Sequence, residues 1–238
     1  MTLWLCPLFA FLLGSIPFGL IIARMKGIDI RAHGSGNIGA TNVLRVVGKQ
    51  YGITCLILDL LKGLIPTLLG ISLIRFVDAS GQLNGNPMAI ASLETHAHVF
   101  PAASQWKAQT LQVLTGLLAI LGHNYSPWVG FKGGKGIATS AGVLIALMPF
   151  AVILLVVVWL VTFFLTRYVS LASIVAAAAI TPLMLYGSWH HGKLQDGTWN
   201  KPLFAFTLLI SVLAIWKHRT NIQRLREGTE HRFERRKK

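Results

Sequence analysis

An almost unbroken apolar run from Ile137 to Leu165 constrains the fold more than any other feature of the sequence. This run is longer than the roughly 17–25 apolar residues that a helix needs to cross a bilayer, and several other apolar runs approach that length. Only 13% of the 238 residues are charged and 53% are hydrophobic, whereas soluble domains average about 25% charged residues. The sequence therefore predicts an all-α, polytopic membrane protein with one membrane domain over residues 1–238.

Seven transmembrane helices are predicted. Because a proline inside a helix removes a hydrogen bond and kinks or ends the helix, we expect the long run to divide near Met148–Pro149 into two short spans. The other expected spans are Leu3–Ala23, Ile53–Ile74, approximately Leu111–Gly122, Ser170–Gly187 and Pro202–Trp216. Asp59 and Lys62 lie inside the second of these, and charged groups in lipid are costly, so we expect them to face the bundle interior, paired at helical spacing.

The distribution of charge predicts the orientation. The net charge is +14, and the basic residues flank the apolar runs, which indicates cytoplasmic loops and anionic headgroups rather than nucleic acid. Arg24 and Lys26 follow the first run, so the N-terminus is predicted to lie outside and not to be a cleaved signal. Dividing the long run places all three polar motif regions described below, and a basic tail over 220–238, on the cytoplasmic side. The polar stretch 76–110 is then external.

The first polar cluster is GSGNIGATNVLRVVG, Gly34 to Gly48. It matches G-x-G-x-x-G, but a dinucleotide site needs a preceding strand, and here a membrane span precedes. We expect Ser35 or Asn37 to cap a short helix beginning near Ile38, on which Thr41 and Arg45 stand one turn apart with Asn42 beside them. Such a site suits an anion, because glycines let backbone N–H groups approach a ligand and arginine binds phosphate. A capped interfacial helix with a snorkelling arginine remains an alternative.

The second cluster, GHNYSPWVGFKGGKGIATS, runs from Gly122 to Ser140. It is not a Walker P-loop, because Gly136 stands where Ser or Thr must hold magnesium. Two lysines on a glycine-rich backbone nevertheless suit an anion clamp; alternatively, Lys132 and Lys135 mark the cytoplasmic end of a span. His123 and Thr139 lie nearby.

The third cluster is HRTNIQRLREGTE, His218 to Glu230, directly after the last span. On a helix that ends near Gly228, His218 and Asn221 share a face. This pair is compatible with catalysis and equally with a cap or headgroup contact. A separate H-x-x-x-x-D pattern at 191–196 is expected outside, away from the cationic loops. Cys6 and Cys55 both lie inside apolar runs, which favours buried thiols over a disulfide.

Together the three clusters resemble the bacterial acyl-phosphate:glycerol-3-phosphate acyltransferase family, of the PlsY type. The resemblance covers nearly the whole chain, and it is specific because three separate motifs occur in the same order. The matching segments are 14–19, 35–42 with Arg45, 58–63, 122–123, 131–136, 138–139, 166–173 and the pattern His218, Asn221, Arg224, Gly228, Glu230.

The resemblance implies a reaction and a set of site residues. The implied enzyme lies in the bacterial inner membrane with its site on the cytoplasmic face. It transfers an acyl group directly from acyl phosphate to glycerol-3-phosphate, giving lysophosphatidic acid and phosphate, without a cofactor, metal or covalent acyl-enzyme. Its partners are these two substrates, membrane lipids and, functionally, the enzyme that makes acyl phosphate, but no nucleic acid. The implied catalytic residues are His218, Asn221, Ser35, Arg45 and Lys135, and the implied substrate-binding residues are Gly36, Asn37, Thr41, Asn42, Lys132, Gly133, Gly134, Gly136 and Ser170.

Further roles and two other function classes follow from the same residues. Asn221 is expected to orient His218, which binds the glycerol portion or accepts the proton, with the substrate phosphate as a rival base. Glu230 is expected to brace the third cluster through Arg or Lys partners. A transporter or channel for an organic phosphate would use the same cationic loops, but it predicts basic residues on both faces and repeated halves. A non-catalytic scaffold leaves the polar spacing unexplained.

Overall fold

The structure is a computed structural model that describes residues 2–78, 80–83 and 86–233. Part of the predicted external stretch 76–110, and residues 234–238 of the predicted basic tail, lie outside the described residues. The described chain is mostly helical. Its α-helices, in chain order, are α1 (Leu5–Gly14), α2 (Phe18–Arg24), α3 (Ala40–Val46), α4 (Lys49–Leu73), α5 (Gln105–Asn124), α6 (Ile137–Leu147), α7 (Pro149–Thr166), α8 (Val169–His190), α9 (Lys201–Lys217) and α10 (Arg219–Arg226).

A small parallel sheet was not expected from the sequence. Strand β1 (Ile74–Phe76) lies where the predicted second span meets the predicted external stretch 76–110, and it pairs with β2 (His98–Phe100) inside that stretch. Gln112 on α5 donates a hydrogen bond to the Ile74 carbonyl at 2.6 Å, which anchors β1. Short 3₁₀ turns lie at Thr2–Trp4, Ala91–His96, Ala102–Ser104 and Pro127–Val129.

Several helices have the length and composition of membrane spans. Within the described part of the chain four segments qualify: Leu5–Arg24, Lys49–Leu73, Pro149–Thr166 and Val169–His190. The pair α9 and α10, bent by 52°, makes a fifth if it is counted as one span. Helix α6 is shorter, and α5 buries polar side chains such as Gln109 and Gln112. The helical membrane character is thus confirmed, whereas the count of seven and the orientation stay predictions.

Two breaks interrupt the apolar runs. The long run divides between Leu147 and Pro149, as the proline predicts. The first run, expected to be continuous, is broken between Gly14 and Phe18 at a Ser-Ile-Pro sequence. Pro17 has no backbone N–H, so the helical ladder ends there. The freed carbonyls find other donors, because Ser126 donates to Ser15 O at 2.6 Å and Lys62 donates to Ile16 O at 2.7 Å.

The chain forms two compact units, and each is described by itself. The first unit comprises Met1–Pro149 and Asn200–Phe206. In it α4 packs against α1, α2, α3, α5 and α6. Glycines bring α4 and α6 close together: a Cβ at Gly63 would lie 2.2 Å from the Thr139 carbonyl oxygen, and one at Gly142 would lie 2.1 Å from that of Leu60. Small residues at such contacts are typical of membrane helix pairs.

The second unit comprises Phe150–Trp199 and Thr207–Lys238. Leu155 is the one buried residue of α7, and the remaining apolar side chains of this helix suit contact with lipid. The indole N–H of Trp159 donates to Ser173 on α8 at 3.2 Å, and Thr181 on α8 shares a hydrogen bond with Ser211 on α9 at 3.4 Å. The prediction of a single domain remains a prediction.

Candidate active site

The first polar cluster is organised by Asn42. This side chain, 2% exposed, accepts a hydrogen bond from the backbone N–H of Ser35 at 2.9 Å. Its amide nitrogen donates to the carbonyls of Ile30 at 3.2 Å, His33 at 3.1 Å and Asn37 at 2.9 Å. One amide therefore folds the loop back onto the start of α3, and Asn42, predicted to bind substrate, shapes the loop that carries the other candidates.

The predicted helix cap is wrong. Helix α3 begins at Ala40, not near Ile38, and its N-cap residue is Gly39, without a side-chain cap. The Asn37 side chain is used before the helix begins, because its Oδ1 accepts from the Gly39 N–H at 2.8 Å. Ser35 is held in the loop by its backbone N–H, which donates to Asn42 Oδ1. Thr41 and Arg45 do lie one turn apart on α3; Arg45 is exposed and Thr41 half-buried.

The second cluster is a loop packed onto the end of α5. The N–H of Gly134 donates to the His123 carbonyl at 3.1 Å, and that of Gly133 donates to the Asn124 carbonyl at 3.3 Å. Side chains would not fit, because a Cβ at Gly133 would lie 2.0 Å from the His123 carbonyl oxygen. Gly136 has φ +81° and a Cβ there would meet the Asn124 side chain. The glycines thus allow the loop to pack closely against the end of α5.

Arg31 joins the two cationic loops. Its guanidinium donates to the carbonyls of Val129 at 3.2 Å and Lys132 at 3.3 Å. The loop is also tied to the break in the first run, because the Trp128 indole donates to the Ser15 hydroxyl at 2.8 Å. Lys132 is exposed and Lys135 is half-buried. Both clusters therefore lie at the same end of the first unit. The sequence did not single out Arg31 as a site residue, since a contact across about a hundred residues leaves no local pattern.

A buried charged cluster lies in the same unit. Asp59 and Lys62 form an ion pair at 2.8 Å, and each is 2% exposed, which confirms their predicted pairing in the bundle interior. His123 places its Nδ1 3.7 Å from Asp59 Oδ1. Cys55 lies beside this carboxylate, with its Sγ 3.7 Å from Asp59 Oδ2. Both cysteines are free thiols, as predicted, but only Cys55 is buried; Cys6, expected to be buried too, is half-buried.

The third cluster belongs to the second unit. His218 stands at the bend between α9 and α10, is 3% exposed, and places its Nδ1 2.8 Å from the Ala214 carbonyl oxygen. A carbonyl can only accept a hydrogen bond, so a neutral ring carries its proton on Nδ1 and leaves Nε2 as the acceptor. A histidine with this tautomer can receive a proton from a hydroxyl.

Glu230 braces this cluster. Its carboxylate accepts hydrogen bonds from Ser170 at 2.8 Å, Asn221 at 2.7 Å and Arg224 at 2.8 Å. The predicted bracing through an arginine partner is confirmed. Ser170 and Asn221, predicted to bind substrate and to act in catalysis, both hold this carboxylate.

The turn after α10 returns Glu230 to the helix. Gly228 has φ +72°, the N–H of Thr229 donates to the Arg224 carbonyl at 2.9 Å, and that of Gly228 donates to the Leu225 carbonyl at 3.4 Å. This is a Schellman ending, in which a left-handed residue reverses the chain. Burial raises the pKa of the Glu230 carboxyl, but hydrogen bonds from Asn221, Ser170 and Arg224 outweigh it and lower the pKa below the ordinary value.

The comparisons with known proteins agree with one another. A family model described as glycerol-3-phosphate acyltransferase matches residues 4–228. The chain belongs to this family. It is 42% identical over 225 residues to the glycerol-3-phosphate acyltransferase of Geobacter sulfurreducens, covering 94% of both chains. With the enzyme of Aquifex aeolicus it shares 39% identity over 226 residues, covering 95% of this chain and 96% of the relative.

Two solved structures are also similar. Both are of PlsY (YgiH), an integral membrane glycerol 3-phosphate acyltransferase, one in the glycerol 3-phosphate form and one in the lysophosphatidic acid form. Their TM-scores are 0.74 and 0.72, each at 37% identity, covering 98% of this chain and 96% of theirs. The chain is therefore an integral membrane acyltransferase of phospholipid synthesis. This decides against the transporter and scaffold interpretations.

Proposed function

We propose that this acyltransferase moves an acyl group from acyl phosphate to glycerol-3-phosphate, giving 1-acyl-glycerol-3-phosphate and inorganic phosphate. The observation that carries the proposal is that its solved relatives occur in a glycerol 3-phosphate form and a lysophosphatidic acid form, which are an acceptor and its acylated product. The acyl phosphate donor rests on the resemblance of the three motifs.

The reaction requires little covalent chemistry from the protein. The acceptor hydroxyl oxygen attacks the acyl carbon, the bond between that carbon and the phosphate oxygen breaks, and phosphate leaves with the bonding electrons. The hydroxyl proton goes to a base. Because phosphate is a good leaving group, transfer is direct, and holding both substrates in position can supply about 7–11 kcal/mol of barrier reduction.

The proposed anion-binding residues lie in the first unit. Arg45 and Thr41 on α3, with Ser35, Gly36 and Asn37 on the preceding loop, bind the acceptor phosphate. Their support is that Asn42 folds this loop back onto the start of α3.

The glycine loop serves the other phosphate. Lys135, with Lys132 and the backbone of Gly133, Gly134 and Gly136, stabilises the leaving phosphate or the oxyanion on the acyl group. This proposed role is supported by Arg31, whose hydrogen bonds hold the glycine loop to the segment that precedes Ser35.

The proposed base lies in the second unit. His218 accepts the hydroxyl proton at Nε2, because its Nδ1 is engaged by the Ala214 carbonyl. Asn221 and Ser170 act on the part of the substrate that His218 contacts. Glu230 holds both side chains in place by accepting a hydrogen bond from each.

The proposed setting is a bacterial plasma membrane. Seven spans place the N-terminus outside, and the three clusters face the cytoplasm. The acyl chain lies among apolar helices and the phosphates stay at the wet surface, so the product leaves sideways into the leaflet. The donor comes from a separate enzyme that makes acyl phosphate.

The test uses the purified full chain in detergent with glycerol-3-phosphate and palmitoyl phosphate. We expect lysophosphatidic acid and phosphate in equal amounts. Arg45→Ala, Lys135→Ala and His218→Ala should each lower the rate by about 100-fold or more, as for loss of a positioned charge or base, with thermal unfolding unchanged. Parallel assays with acyl-CoA and acyl carrier protein identify the donor. Full activity in the three variants would refute the assigned site, and turnover only with a thioester would refute the donor.

A further inference from the structure

The buried charged cluster of Asp59, Lys62 and His123 has no part in the reaction as proposed so far. The three side chains come from α4 and the end of α5, and His123 is 6% exposed. Lys62 is already served by two partners, the Asp59 carboxylate at 2.8 Å and the Ile16 carbonyl at 2.7 Å. Charged groups inside a membrane bundle are expensive. A cluster that also includes a histidine at the base of the glycine loop therefore calls for a functional explanation.

His123 contacts the glycine loop with its backbone and with its ring. Its carbonyl accepts the N–H of Gly134 at 3.1 Å. A Cβ at Gly134 would lie 2.1 Å from His123 Nε2, and its next two nearest atoms would belong to the same ring. The imidazole thus lies between the Asp59 carboxylate, 3.7 Å from its Nδ1, and the backbone immediately before Lys135.

We propose that Asp59 and His123 are positioning residues for acyl transfer. The Asp59 carboxylate attracts the Nδ1 edge of the His123 ring and sets its orientation. The ring then sets the path of the loop at Gly134, and with it the place of the Lys135 ammonium. The inference rests on the proposed role of Lys135. Neither Asp59 nor His123 touches substrate.

A purely structural role for Asp59 predicts a different result. If Asp59 only neutralises Lys62, replacing both with uncharged residues should restore stability and activity together. Removing one partner of a buried pair is strongly destabilising, whereas replacing both is often neutral. The variant Asp59→Asn/Lys62→Met therefore separates folding from positioning. We expect it to be more stable than Asp59→Asn alone, with a remaining loss from the Ile16 carbonyl that Lys62 no longer serves, but to lose about tenfold to 100-fold in kcat, as for a misplaced catalytic group.

The contact between the ring and Gly134 has its own test, with a neighbouring glycine as the matched control. Gly134→Ala places its methyl group against the His123 ring, so His123→Ala should make room for it. Gly133→Ala places its methyl group against the His123 backbone carbonyl, which remains in His123→Ala. We expect Gly134→Ala to cost stability in the wild-type background and nothing further in His123→Ala. Gly133→Ala should cost stability in both.

A double-mutant cycle tests whether His123 acts through Lys135. His123→Ala should lower kcat about tenfold or more in the wild-type background and have little effect in Lys135→Ala. Additive losses, or an Asp59→Asn/Lys62→Met enzyme with wild-type kcat, would overturn the inference. A Lys135→Ala enzyme with normal kcat would instead refute the proposed role of Lys135, while the unfolding temperatures of the glycine variants would still report the ring contact.

Discussion

Asn42 illustrates how a single side chain sets the conformation of a functional loop. The sequence placed it next to Thr41 on a short helix, and this is where it lies. Its use of one acceptor and one amide nitrogen to bind four backbone groups could not be predicted, because the partners lie up to twelve residues earlier and the loop has no regular structure. The same limit explains the wrong prediction of the α3 cap.

The donor role of Asn42 is testable with an isosteric change. In Asn42→Asp an oxygen replaces the nitrogen that faces three carbonyls, so those acceptors lose their donor inside the protein. We expect a loss of about 1–3 kcal/mol of stability, the cost of buried groups left unsatisfied, measured by thermal unfolding in detergent. Asn37→Asp is the matched control, because Asn37 uses its oxygen as an acceptor and aspartate keeps it. Equal destabilisation of the two variants would contradict this account.

Glu230 predicts a pH dependence for the segment after α10. Its folded-state pKa is below the ordinary carboxyl value, which is about 4.3. A depressed pKa gives stabilisation that is present above the unfolded pKa and lost as the pH falls through the folded one. The protection of the amides of residues 229–233 against exchange, measured relative to their intrinsic exchange rate at each pH, should therefore stay constant from neutral pH down to about 5. It should fall only below the ordinary carboxyl range.

The control for this dependence is Glu230→Gln. The amide lacks the charge that attracts Arg224, so the segment should exchange about tenfold faster at neutral pH, as for a lost hydrogen bond to a charged group. This variant should also lose the acid-dependent step in the exchange profile. An acid step of the same size in Glu230→Gln would assign it to another group.

At the scale of elements, one of the two proline-associated helix breaks was predicted from the sequence and the other was missed. The division of the long run before Pro149 follows from a proline within it. The break at Ser15–Pro17 was missed because the apolar character continues across it. The carbonyls that lose their helical partners there accept hydrogen bonds from distant donors, Ser126 and Lys62. Those donors reach the carbonyls only in the folded bundle, so the sequence of the first run alone does not show that a break is tolerated there.

Helix contacts predict opposite effects for two glycine-to-alanine changes. Gly142→Ala places a methyl group 2.1 Å from the Leu60 carbonyl oxygen, so α4 and α6 must separate. We expect a loss of about 1–3 kcal/mol, typical of overpacking. Gly187 on α8 has no atom within 4 Å of its Cβ position, and Gly187→Ala should be neutral or stabilise the protein by up to about 1 kcal/mol. The measurement is the thermal unfolding temperature of each variant compared with that of the wild-type protein. A stable Gly142→Ala would show that this contact can relax.

For the whole molecule, composition was sufficient to identify a helical membrane protein, and the order of three motifs was sufficient to indicate the family. The sequence could not show that Arg31 ties the two cationic loops together, nor that Asp59 reaches His123 on another helix. These contacts depend on how helices pack, which hydrophobic runs alone do not specify. The small sheet from Ile74 and His98 was missed for the same reason, since its strands are short and far apart in sequence.

The proposed orientation makes a prediction about access from each side of a membrane. In a Cys6→Ala background, single cysteines at Lys132 and Arg219, both exposed, should react with an impermeant maleimide only from the cytoplasmic side. A cysteine at Ser80 or Gln195, also exposed, should react only from the other side. The physical reason is that basic loops are retained in the cytoplasm.

Inverted and right-side-out vesicles, checked for sealing, provide the two directions of access. Native Cys55 is buried and supplies an internal check that unfolded protein is absent. Modification of positions 132 and 219 from opposite sides would refute the predicted seven-span orientation. It would also refute the assignment of Lys135 and His218 to one reaction. Modification of both from the outer side would invert the protein and place its phosphate-bearing substrates outside the cell.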